Sequence, residues 1–390
     1  LSDDVLTDSL TILDQLVGFR PISDRSNLPL IDFCCHRLRE VGVATNVLRS
    51  PGGDKAALYA TIGPKVAGGI VLSGHTDVVP ADGQPWSSDP WAVTRKNGRL
   101  VGRGTSDMLG FVSLALAAAC RFSRYQLRRP IHLAFSYDEE TDCSGGKILS
   151  EVMGRTLPTP ELVVVGEPTQ QEVVVGHKAY AELRTRVVGL PVHSSRLDLG
   201  ASAVTIAARL VSYIDDLHAA YAPKSTRIDH RFNPPFTTLH CGTFRGGTSP
   251  TTVAAEAEFT TDIRTIPSEN YLDFVKKIDG FADMLGRRPL VPDGPTCSIM
   301  TEVLTTIPGL TPSVSSSACD LLGSAGLSVG SATIAGGTEA GLFQAQGWST
   351  VVCGPGDLRR AHVADEYIEI DELQSFANVL GAFADQLCTE

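Results

Sequence analysis

The sequence predicts an α/β fold, a largely parallel sheet covered by helices, with a smaller α+β unit inserted into it. Three observations carry that expectation. Short β-branched apolar runs alternate with segments of helical apolar spacing. Three of those runs lead into turns that carry histidine or carboxylates. From about 179 to 308 the pattern changes to alternating segments separated by amphipathic helices.

Taken in order, residues 8–18 and 27–43 (NLPLIDFCCHRLREVGV) repeat apolar side chains at helical spacing. GGIVLSGH (68–75) is too short for a helix and reads as a strand ending at His75, with Asp77 two residues on. FVSLALAAACRF (111–122) is helical, and IHLAFSYDEE (131–140) is a strand running into Glu139 and Glu140. GGKILSEVM (145–153) is again helical, and ELVVVGEPT (161–169) is a strand running into Glu167. Ligands of open α/β sheets collect beyond the carboxyl ends of the strands, so these endings point to one shared site.

AYAELRTRVVG, TVAAEAEFTTDIR and CSIMTEVLTT then alternate, with the helical SAVTIAARLVSYIDDL and YLDFVKKIDGFADML between them. A βαββαβ (ferredoxin-like) unit is the economical reading. The chain returns to α/β with ACDLLGSAG, GWSTVVCGPG and an amphipathic helix at 371–387. The expected division is therefore 1–178 and 309–390 for the larger α/β domain, with 179–308 inserted.

Composition narrows the function. With 43% hydrophobic and 20% charged residues the 390-residue chain has the makeup of an ordinary globular protein, not of a disordered or membrane-spanning one. A formal charge of −11, from 44 acidic against 33 basic residues, argues against nucleic acid, whose phosphates need a basic face. The nine cysteines show no CxxC spacing and include the adjacent Cys34 and Cys35, which suits packing in a reducing compartment. Asp3, Asp4, Asp8 and Asp14 break the first apolar stretch, so a cytosolic protein is expected.

The candidate ligands are His75, Asp107 (GRGTSDMLGF), Glu139, Glu140, Glu167 and His362 (GPGDLRRAHVADE). Imidazole and carboxylate without thiolate suit zinc, cobalt or manganese in a hydrolytic site. Each residue has a bland alternative: Asp107 could cap the helix starting near Gly110, and the glutamates could be a solvated strand end. Jointly, two histidines and enough carboxylates for two ions, with one left over as base, make coincidence improbable. Arg264 (TTDIRTIP) has the fork to hold an α-carboxylate; its bland alternative is a strand-edge charge.

GHTDVVP, GRGTSDM, DEET with its following GG, GEPT and AHVADE occur here in one order. In that order the chain resembles the two-zinc amidohydrolases, the family of acetylornithine deacetylase, succinyl-diaminopimelate desuccinylase, aminoacylase and carboxypeptidase G. The resemblance spans almost the whole chain. It implies a zinc-exopeptidase-like fold and two divalent ions, zinc first, cobalt or manganese as alternatives. It further implies that His75 and Glu167 bind one ion and Glu140 and His362 the other, with Asp107 between them and a cis peptide after it. Glu139 becomes the general base, and Asp77 accepts from the second ring nitrogen of His75. His193 (GLPVHSSR) becomes the oxyanion donor, acting across a homodimer formed by the inserted lid and dimerisation domain. Without the resemblance, His193 is a surface histidine in a polar turn.

Two positions depart from the family pattern: Leu109 stands where lysine is common, and Thr251 where an asparagine is common. Both are expected near substrate. AGGTEAGLFQ (335–344) is similar to the acetylornithine deacetylase form of a substrate loop, which puts Gly337 and Thr338 at the substrate and Glu339 opposite a side-chain ammonium. The implied reaction is hydrolysis of an N-acyl amino acid, N2-acetyl-L-ornithine foremost, in arginine biosynthesis. Succinyl-diaminopimelate or a dipeptide are the alternatives for the same metal core.

Overall fold

A computed structural model describes residues 2–222 and 227–388. They form two compact units, 1–176 with 310–333 and 338–390, and 177–309 with 334–337. The larger unit opens with α1 (Ser2–Gly18), α2 (Leu28–Glu40), β1 (Thr45–Arg49), β2 (Ala56–Ile62) and β3 (Ile70–His75). It continues through β4 (Thr94–Lys96), β5 (Arg99–Val101), α3 (Leu109–Phe122), β6 (Ile131–Ser136), α4 (Ser144–Thr156), β7 (Leu162–Val165) and β8 (Val173–His177). In the smaller unit lie β9 (Ala179–Val188), α5 (Ala203–Tyr221), β10 (Thr238–Gly246), β11 (Glu256–Thr265), α6 (Tyr271–Gly286) and β12 (Ser298–Ile307). The chain ends with α7 (Ser316–Ser324), β13 (Val329–Ile334), α8 (Ala340–Gln344), β14 (Thr350–Val352), β15 (Tyr367–Glu369) and α9 (Ile370–Leu387).

The main sheet has eight strands in the order β1-β2-β6-β3-β7-β14-β8-β13. Its centre is parallel, β6 with β3, β3 with β7 and β7 with β14, whereas β1, β2 and β8 pair antiparallel. Every residue of β3, β6, β7 and β14 is buried, which is why these strands read as continuous apolar runs instead of alternating ones. Burial of Ser113 along with its apolar neighbours shows α3 enclosed on all sides, and it packs on α1, α9 and the sheet. Because β3, β6 and β7 run the same way, their carboxyl ends share one edge of the sheet; His75 lies beside Ser136 there, and Ser73 beside Val165.

The smaller unit is an antiparallel sheet ordered β10-β11-β9-β12. Ala181, Leu183, Val187, Phe259 and Ile263 alternate toward one face and pack against Ile206, Leu210, Phe274 and Ile278 of its two helices. Its second strand, β10, has no counterpart among the alternating segments read from sequence. The reason is physical: in TLHCGTFRG only Leu239 is buried, and the register slips between Cys241 and Thr243, so the period of two is not written in hydrophobicity. All nine cysteines are unpaired thiols. Among the described residues no helix is long and apolar enough to cross a membrane.

Two buried histidines make the fold acid-sensitive. Burial pushes His132, held at Nδ1 by the Thr61 hydroxyl at 2.9 Å, down to about 4, and His177 likewise to about 4. The unfolded chain takes up their protons below about pH 6.5, which the folded chain refuses. The contribution of these two histidines to stability is therefore expected to fall from pH 6.5 to about 4 and then level off. In metal-free protein, the urea midpoint of His132→Gln should fall less over that window than that of the parent; parallel curves would refute the role of His132.

Candidate metal centre

His75 is the last residue of β3 and is 1% exposed. Its Nδ1 lies 2.9 Å from the backbone oxygen of Asp77, an atom that can only accept, so Nδ1 carries the proton. Nε2 is then turned on Asp107 Oδ1 at 3.1 Å and Glu167 Oε1 at 3.9 Å. A protonated ring donates from Nε2 to Asp107; a neutral one turns its Nε2 lone pair toward the same oxygens, where a cation between them would satisfy both. Burial depresses the His75 ring, but the Asp107 hydrogen bond and the Glu167 and Glu139 charges lift it well above its ordinary value.

Asp77 departs from expectation. Its carboxylate is 3.7 Å from the His75 ring, too far for a hydrogen bond, and the backbone carbonyl orients the imidazole instead. The carboxylate accepts from Ser23 Oγ at 2.7 Å, Glu139 N at 3.1 Å and Glu140 N at 3.3 Å. It thus fixes the turn after β6. Those N–H groups have no strand partner, and a buried acceptor satisfies both. Asp138, at φ 59°, is anchored beside them by Lys55 Nζ at 2.6 Å. Glu139 and Glu140 are therefore half-buried on a fixed turn and do not form a solvated strand end.

Asp107 does not cap α3: no side-chain cap bond is made there, and the Asp107–Met108 peptide is cis, as the resemblance implies. Its carboxylate divides between the histidines, Oδ1 toward His75 and Oδ2 3.4 Å from His362 Nε2. Against burial, hydrogen bonds from His362 and His75 hold it well below the usual carboxylate range. His362 sits on a turn at φ 62° and also contacts Glu140 Oε2 at 2.9 Å. The Asp107 and Glu140 hydrogen bonds lift its ring to about 10.

Two donor sets result, His75 with Asp107 and Glu140, and His75 with Glu139 and Glu167, each with donor atoms within 4.8 Å of one another. His362 extends the first through its contacts with Asp107 and Glu140. Burial pushes Glu167 and Glu139 well above the carboxylate range, and neighbouring carboxylates push further: Asp107 on Glu167, and Glu167 on Glu139. Burial and then Asp107 raise Glu140 as well. Glu167 Oε1 is buried without a hydrogen-bond partner. Gathered buried carboxylates of this kind are costly unless cations compensate them, so the residues fit divalent metal.

His193, Thr251, Arg264 and Gly337 belong to the smaller unit. There His193 bridges to Thr252, and Ser194 N donates to Thr251 O at 2.9 Å. Ser195 N donates to His193 Nδ1 at 3.2 Å, which leaves Nε2 to carry the proton of the neutral ring. Arg264 lies on β11, an interior strand, so it is not a strand-edge charge; it pairs with Asp262 at 3.1 Å and lies over the Tyr180 ring. Gly337 belongs to the smaller unit, Thr338 and Glu339 to the larger. Thr338 is buried, its hydroxyl accepting from Ala340 N at 3.1 Å.

Glu339 and Leu109 correct expectations. Glu339 immediately precedes α8, whose first residues are buried, and is itself 1% exposed, its carboxyl lodged against Gly146 of α4. It does not present an open carboxylate to a side-chain ammonium. Burial raises it to about 7, opposed by Ser136 and His75. Leu109 is fully buried against Gly104 and packs in the core, so its difference from lysine is not a change of surface contact.

An α/β sheet whose carboxyl edge gathers two histidines and four carboxylates in this way defines a metal-dependent hydrolase. Residues 71–386 match the model of peptidase family M20/M25/M40, and the chain belongs to that family. It is 32% identical over 393 residues to the acetylornithine deacetylase of Myxococcus xanthus, covering 99% of each chain. An M20 family metallo-carboxypeptidase from Sulfolobus solfataricus shares the fold at a TM-score of 0.73 and 17% identity, covering 97% of this chain and 98% of that one. So does a dinuclear metal-binding M20 peptidase from Bacillus subtilis, at 0.61 and 13% identity, covering 98% of each. The protein is a metal-dependent amidohydrolase.

Proposed function

We propose that the protein removes the acyl group of an N-acyl amino acid, with N2-acetyl-L-ornithine the leading substrate and acetate and L-ornithine the products. The observation that carries this reading is the buried convergence of His75, Asp107, Glu139, Glu140 and Glu167, with His362 beside Asp107 and Glu140. The full-length relative at 32% identity supports the choice of substrate. In this reading His75 and Glu167 would hold one ion and Glu140 and His362 the other, with Asp107 a ligand shared by the two sets. Two divalent ions, zinc foremost and cobalt or manganese as alternatives, supply Lewis acidity toward the amide carbonyl and acidify water.

The chain's own groups do the rest. Glu139, desolvated beside Glu167 and raised well above the carboxylate range, is poised to take the proton of the attacking water and return it to the leaving amine. His193, protonated at Nε2, is suited to donate to the developing oxyanion. Arg264 grips the α-carboxylate once it turns from Asp262, with Thr251, Gly337 and Thr338 around the substrate. The working form is a homodimer joined through the smaller unit, whose edge strands β10 and β12 offer free backbone groups. Nine unpaired thiols support a cytosolic setting.

Metal-reconstituted enzyme assayed on N2-acetyl-L-ornithine, succinyl-diaminopimelate, simple dipeptides and uncharged N-acetyl amino acids tests the reading. The highest kcat/KM is expected on acetylornithine. A higher value on succinyl-diaminopimelate or a dipeptide would overturn the substrate and keep the chemistry.

A further inference from the structure

We propose that Arg103 and Glu366 form a positioning unit that holds Asp107 and His362 in register with each other. The inference rests on the metal-ligand reading above, and it concerns residues that contact no ion. Both side chains are 1% exposed, and Arg103 Nη1 meets Glu366 Oε2 at 2.7 Å. A buried ion pair is weak evidence for stability by itself, so its retention invites a question about what it aligns.

Glu366 faces the loop that carries Asp107. Oε1 accepts from Ser106 N at 2.9 Å and Asp107 N at 3.0 Å, while Oε2 accepts from Gly104 N at 3.0 Å in addition to Arg103. Three amides of one loop and a guanidinium thus converge on two oxygens. Backbone N–H groups cannot turn into acceptors, so only a carboxylate satisfies the set; an amide would set donor against donor.

Arg103 faces the other way. Its Nη2 donates to Gln84 Oε1, and Gln84 Nε2 donates to the backbone oxygen of His362 at 2.8 Å. Trp86 Nε1 also donates to Gln84 Oε1 at 3.1 Å, and its ring lies 5.1 Å from the Arg103 guanidinium. His362 and Asp365 both hold left-handed backbone, at φ 62° and 56°, on the turn that Gln84 ties down. A single chain of contacts therefore runs from the Asp107 amide through Glu366, Arg103 and Gln84 to the His362 carbonyl. Asp107 and His362 lie 3.4 Å apart at their ligand atoms, and they arrive from loops far apart in sequence.

The test titrates metal-free protein with zinc against a chromophoric chelator, resolving both affinities, with the thermal midpoint of each metal-free variant measured alongside. Two ions bound by the parent protein are the control; fewer would overturn the metal-ligand reading itself. Glu366→Gln is expected to weaken at least one of the two ions about tenfold to a hundredfold. Gln84→Ala, a partly exposed change, should weaken the same ion several-fold with an unchanged metal-free midpoint, and the double variant should lose less than the two losses combined. Parent affinity in Gln84→Ala, or strict additivity, would overturn the link to His362. Parent affinity in both single variants would overturn the whole proposal. Should Glu366→Gln not fold, Gln84→Ala decides alone.

Discussion

Glu139→Gln is expected to lower kcat by about 10²–10⁴-fold while both ions remain bound, since glutamine keeps the shape of the side chain and cannot take a proton. The alternative is concrete: Glu139 lies within ligand distance of His75 and Glu167, so geometry alone would let it bind an ion. Its neighbour separates the two roles. Glu140 meets His362 at 2.9 Å, and Glu140→Ala should release the second ion. Metal analysis of the two purified variants reads the difference. A Glu139→Gln protein stripped of metal beside a fully loaded Glu140→Ala protein would exchange the assignments of the two glutamates.

His193→Ala should lower kcat by about 10²–10³-fold, the loss typical of one oxyanion donor, with little change in metal content. Subunit mixing asks where the donor acts. Inactive Glu139→Ala and His193→Ala subunits, allowed to exchange at random, give mixed dimers in about half of the molecules. If His193 serves the partner's site, each mixed dimer has one site with an intact base and an intact donor, and roughly a quarter of parent activity returns. Activity that stays at the level of the separate variants, with exchange confirmed by mass, would mean that His193 acts within its own chain or not at all.

The parts of the site that were legible in the sequence are those tied to a local pattern. His75, Glu139, Glu140 and Glu167 follow short apolar runs, and a parallel sheet aligns the ends of such runs without further information. What was not legible depends on partners distant in the chain. The Asp77 carboxylate reads as a companion of His75 because it is two residues away, yet its partners are Ser23 and the amides of Glu139 and Glu140. Glu366 closes AHVADE as one more surface-type acid, and only the folded chain brings the amides of Gly104, Ser106 and Asp107 onto it. Glu339 sits in a glycine-rich stretch that reads as an open loop, and the burial of α8 draws it inward. Strand β10 escaped because its side chains are mostly exposed on both faces.

Strand β14 lies between β7 and β8 in the sheet but follows both in the chain, after the whole smaller unit. During synthesis the smaller unit's contiguous elements can close while β7 still waits for its neighbour. Until then Val163, Val164 and Val165 present an apolar edge with unpaired backbone groups, the kind of surface that invites association between unfinished chains. His362 is later still, for it emerges after β14. Its contacts with Asp107 and Glu140 therefore form only after every strand of the main sheet has been synthesised, which makes this corner of the cluster the last to be assembled.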